Sequence, residues 1–95
     1  MTTPAVKARK LIHNAKRLSE AEHGPLTQDL LRATMIMNRE VGELADAVLL
    51  YTKHPSVEGI SIRLHEVAVE AAQVACIAEM ITAIALNKLE EIEDD

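Results

Sequence analysis

Phenylalanine and tryptophan are missing from this chain of 95 residues, and Tyr51 is its sole aromatic side chain. So few rings exclude the basic, aromatic-studded surface on which nucleic-acid bases stack, and they leave little to line a pocket for a base. The single cysteine, Cys76, excludes an intramolecular disulfide and fits a reducing, cytoplasmic setting. No apolar run reaches the roughly 18 residues a membrane span needs. The first ten residues are basic with no apolar stretch behind them, so no signal peptide is expected. β-Strand signals, internal repeats and low-complexity linkers are also absent. Glycine and proline occur three times each. Apart from Gly42, they stand at the edges of three long segments.

What is present is apolar and helical. The chain is 48% hydrophobic, too much for a disordered segment, and its length suits one domain that is marginal as a monomer. The net charge of −5 is local: Glu90, Glu91, Glu93, Asp94 and Asp95 supply five of the 15 acids, and the other ten balance the ten Lys and Arg. That acidic end reads as a solvated helix terminus. Lys7, Arg9, Lys10, Lys16 and Arg17 cluster in the first segment with no nucleic-acid-binding motif around them, so nucleic acid is not an expected partner.

The periodicity predicts an all-α fold, an antiparallel bundle of about three helices over residues 4–21, 27–53 and 61–91. Pro4 suits a first helical turn, and Ala8, Leu11, Ile12, Ala15 and Leu18 form one apolar stripe before His23-Gly24-Pro25 breaks the helix. In the second segment Thr27 is the expected N-cap and Asp29 favours the first turn. There Leu30, Thr34, Met37, Val41, Leu44, Val48 and Tyr51 step by fours and threes. Leu64, Val67, Ala71, Val74, Ala78, Ile81 and Ala85 repeat that stepping in the third. From Val67 to Leu86 this helix is apolar nearly all round, so it needs covering all round. A dimer or tetramer built on it is therefore expected. Cys76 and the methionines Met35, Met37 and Met80 read as core fillers. His13, His54 and His65 read as surface or turn residues.

Glu40, Glu43 and Asp46 follow one another at three-residue intervals in the second helix. Residues three apart share a helix face, so Glu40 and Glu43 either hold a hard cation such as Mg²⁺ between them or lie on a solvated face. The third helix offers Glu66, Glu70 and Gln73 on one face, next to its apolar stripe. If the two helices run antiparallel, the sets meet across the bundle, where polar groups are costly unless partnered. Gly42, between the glutamates, costs a helix about 1 kcal/mol relative to alanine, which suggests a close approach to the backbone there.

Glu40-Val-Gly-Glu43-Leu-Ala-Asp46-Ala resembles the first signature, EExxE, of the MazG-like all-α NTP pyrophosphatases, a group that includes dCTP pyrophosphatases and dimeric dUTPases. Glu70-Ala-Ala-Gln73 sits where the second signature, ExxD, would be, 27 residues after Glu43. His23-Gly24-Pro25 resembles a short turn of some dCTP pyrophosphatases. The resemblance spans roughly residues 20 to 80. It implies Mg²⁺, or Mn²⁺, held by Glu40, Glu43 and Glu70, with Gln73 and Glu66 as further ligands and Asp46 orienting a ligand or a water. The implied substrate is a nucleoside triphosphate, hydrolysed to a monophosphate and pyrophosphate, with His23, Tyr51 and Lys53 as substrate contacts.

The pattern also departs from that family. Arg39 replaces the first acid of EExxE, and Gln73 replaces the aspartate of ExxD. Leu50 stands where dCTP pyrophosphatases carry an aromatic, with Tyr51 beside it. Only Asn87 and Lys88 remain of the phosphate-holding elements after the second signature. The alternative is a non-catalytic helical oligomer or adaptor, in which the carboxylates point into solvent or pair with Arg and Lys. Glu79, isolated in the apolar run, should pair across an interface or face solvent.

Overall fold

A computed structural model describes residues 2–23, 29–53 and 59–94, with side chains left aside at 19–23. Within them the fold is all-α: α1 (Pro4–His23), α2 (Leu30–Lys53) and α3 (Ile60–Glu93). Thr3 opens α1, its hydroxyl accepting from the Val6 N–H at 3.2 Å, and Pro4 takes the first helical position, where its missing N–H has no partner to lose. α2 begins at Leu30, not three residues earlier. Asp29 is its cap: one carboxylate oxygen accepts from the backbone N–H of Leu31 at 3.0 Å and Arg32 at 3.2 Å. Thr27, the expected cap, and the two breaking segments around Pro25 and Pro55 lie outside the described residues.

α3 is the organising element. It packs against both α1 and α2, which do not approach each other among the described residues. The short link between α2 and α3 makes them an antiparallel pair. Lys16 reaches Glu79 at 3.6 Å across the α1–α3 contact, so Glu79 finds a partner on another helix as well as solvent. The arrangement is long and open. It measures 59 × 32 × 22 Å, with a radius of gyration of 16.0 Å, against about 12 Å for a compact domain of this length.

The side of α2 turned toward α3 keeps Leu30, Met37, Leu44 and Tyr51 of the expected stripe but not its other three residues. Ala33 and Ala47 are buried, while Thr34, Val41 and Val48 are exposed. The inward row is therefore Leu30, Ala33, Met37, Glu40, Leu44, Ala47 and Tyr51, rotated by one residue at alternate steps. The buried Ala33, Ala47 and Ala72 are small enough to allow close helix packing at this contact. The same shift occurs on α3, where Ala72, Cys76, Ile77 and Ile84 are buried and Leu64, Ala71, Ala78 and Ala85 are exposed. Leu18 and Met35, expected in the core, are 63% and 64% exposed. Among the described residues nothing lies within 4 Å of where a Cβ on Gly42 would stand, so no other element approaches that backbone.

By length and composition α3 could cross a membrane. It packs against α1 and α2, and 22% of its apolar window is buried within the chain. It also carries Glu70 and Glu79, and an acid at the bilayer centre costs about 2.5–3.5 kcal/mol on insertion scales.

Candidate metal centre

The antiparallel pairing brings the two carboxylate sets to one level. Glu40 lies 13 residues before the end of α2 and Glu70 ten residues after the start of α3, so they meet across the hairpin. Glu43, one turn along from Glu40, leans to the same place. Each of the three offers a carboxylate oxygen within 4.8 Å of the others. Glu40 stands in the inward row of α2, its side chain only 12% exposed, with Arg39 3.7 Å away as a weak counter-charge. Glu70 is half-buried and Glu43 is exposed, so the cluster lies at the rim of the interface with one open side.

Gln73 completes the group. With its amide nitrogen toward the acids, the orientation that hydrogen bonding favours, it donates to Glu40 Oε2 at 2.8 Å and to Glu70 Oε2 at 3.2 Å. One neutral amide thus ties two carboxylates on different helices. It relieves their repulsion only in part. Burial pushes the Glu40 carboxyl up from its ordinary value, the charge and hydrogen bond of Glu43 and the charge of Glu70 add to this, and Arg39 opposes it. Burial also raises the Glu70 carboxyl, followed by Glu43 and then Glu66. Crowded acids with one partial counter-charge either hold protons or take a cation. Oxygen ligands at 2.0–2.6 Å around a hard cation such as Mg²⁺ or Ca²⁺ fit a set of this spread and type.

Comparison with known protein families, curated proteins and solved structures finds no match.

Of the residues singled out from sequence, Glu40, Glu43, Glu70 and Gln73 come together. Glu66 stays one turn away, exposed, and reaches the cluster through its charge on Glu70. Asp46 is exposed and outside the three-carboxylate set. Tyr51 is half-buried and Lys53 exposed at the far end of α2. At 1.5 Å per residue they stand about 12 and 15 Å beyond Glu43 along the axis. The His23 side chain lies outside the described residues. Arg39 stood out in the sequence only as a departure from a motif, yet its guanidinium lies 3.7 Å from Glu40. Its position next to that acid in the chain was the available signal.

Proposed function

We propose that this chain is a Mg²⁺-dependent nucleoside triphosphate pyrophosphohydrolase of MazG-like type, acting on nucleotides in a cytoplasmic setting. The observation that carries the proposal is the convergence of Glu40, Glu43 and Glu70 from two helices within 4.8 Å, beside the likeness of residues 40–47 to the family's first signature. Those three residues would hold the cation, with Gln73 turning its amide to present the carbonyl oxygen and Glu66 within reach of a second position. Mg²⁺ bound there supplies charge neutralisation for the triphosphate. The half-buried Glu40 and Glu70 would form the inner side of the site, and the exposed Glu43 its open side toward the attacking water. Tyr51 would offer the one ring available for a base, and Lys53, at the end of α2, a charge for phosphate.

A second reading has one observation in its favour. The Gln73 amide satisfies Glu40 and Glu70 together, so the acids can stay assembled without a cation, as in a non-catalytic relative. One assay separates the two: pyrophosphate release from a panel of NTPs and dNTPs with Mg²⁺ or Mn²⁺, wild type against Glu43→Gln. Catalysis predicts release by the wild type and a loss of at least about 100-fold in Glu43→Gln, the scale of general acid–base or electrostatic contributions. No release from any nucleotide, with no divalent-dependent rise in melting temperature, would overturn the enzymatic reading.

A further inference from the structure

Arg39 and Glu40 are neighbours in the chain, and neighbours on a helix diverge by about 100°. Counted round α2 from Glu40, which faces α3, Glu43 lies about 60° to one side and Arg39 about 100° to the same side. The guanidinium therefore comes from the flank that the exposed Glu43 occupies, the open side of the cluster. Arg39 and Glu43 are also four residues apart, the spacing that stacks side chains on one helix face.

The contact Arg39 makes there is loose. Its Nη2 lies 3.7 Å from Glu40 Oε1, and its side chain is 59% exposed. A committed guanidinium–carboxylate pair closes to about 2.7–2.9 Å and often uses both arms, and an exposed pair holds its members weakly. The other Glu40 oxygen is the one that Gln73 holds, at 2.8 Å. Glu40 thus keeps a partner when Arg39 leaves, and the guanidinium has donors to spare for another acceptor.

Charge says what that acceptor is. Three carboxylates outweigh one divalent cation by a single charge, so the cluster with its cation would still repel a polyphosphate. One guanidinium supplies the missing positive charge, and its planar fork matches a phosphate group. The other arginines and lysines of α2 and α3 stand farther off. Along their helices Arg63, Arg32 and Lys53 lie about 10, 12 and 15 Å from the nearest of the three acids, and Lys88 about 27 Å.

We infer that Arg39 is a phosphate-binding residue of this site, releasing Glu40 to a divalent cation and turning its guanidinium to the phosphate chain of the nucleotide. The inference rests on the cation-binding reading of the cluster. It carries a sign of its own: Arg39 opposes the cation, by repulsion and by engaging Glu40, and favours the anion.

Calorimetric titration of the full chain tests it, with Mg²⁺ alone and then with inorganic tripolyphosphate in excess Mg²⁺, for wild type, Arg39→Gln and Arg39→Lys. Arg39→Gln is expected to bind Mg²⁺ roughly threefold more tightly than wild type and tripolyphosphate about tenfold more weakly. Arg39→Lys keeps the charge without the fork. It is expected to match wild type for Mg²⁺ and to fall between the two for tripolyphosphate. An Arg39→Gln variant that loses affinity for Mg²⁺ would show a residue that only braces the cluster, and would overturn the inference. So would tripolyphosphate binding all three proteins alike, or failing to bind a wild type that takes up Mg²⁺, although the cation site would then stand. A wild type that takes up no Mg²⁺ overturns the cation reading itself, and this inference with it.

Discussion

Glu40 is the residue at which local pattern and tertiary structure disagree, and the disagreement locates the site. A glutamate in an inward helical row is costly unless something neutral or cationic meets it, and here Gln73 does so at 2.8 Å. Because Glu40 and Glu70 bind protons more tightly in the folded chain, their contribution to stability is fully present below the ordinary value of 4.5. It is lost as pH rises through their raised folded values. Thermal melts in chelator should therefore show stability from these groups falling as pH rises above about 4.5, the reverse of common acid denaturation, and Glu40→Gln should flatten that fall. At neutral pH the same variant should be more stable than wild type in chelator, seen as a higher melting temperature. Gln73→Asp tests the other partner. It removes the bridging donor and adds a fourth acid, so it is expected to lower the melting temperature in chelator and enlarge the rise on adding Mg²⁺. An unchanged response to Mg²⁺ would show that position 73 does not face a cation.

Among the elements, the existence and extent of all three helices were legible from the stepping of apolar residues and from the breaks at proline and glycine. The facing of Glu70 toward Glu40 was legible too, from helix spacing and antiparallel packing. The rotation of α2 was not. Its apolar residues spread over more than half of the helix surface, so Thr34, Val41 and Val48 made as good a stripe as Ala33 and Ala47, and only close packing against α3 decides between them. Small side chains carry the weaker hydrophobic signal and yet permit the closer contact. Replacing Ala47 by leucine should on this account cost about 1–3 kcal/mol by overpacking, seen as a lower denaturation midpoint, whereas leucine in place of exposed Val48 should not destabilise the hairpin. The cap of α2 was read two residues early, at Thr27 in place of Asp29, because threonine and aspartate are both capping residues. The two N–H groups bound by Asp29 settle it, and Asp29→Ala is expected to cost about 1 kcal/mol.

At the scale of the molecule, α1 and α2 meet only through α3 among the described residues, and this bears on the order in which the chain assembles. The hairpin closes over the few residues between α2 and α3. The contact of Lys16 with Glu79 instead encloses all of α2, and closing a longer loop costs more entropy, growing as (3/2)RT ln n. Local contacts form first and distant ones later. In a refolding experiment with pulsed hydrogen exchange, amides of α2 and α3 should gain protection before those of α1. The carboxylates, which belong to the hairpin alone, would then be gathered while the first twenty residues of the chain are still searching for their place.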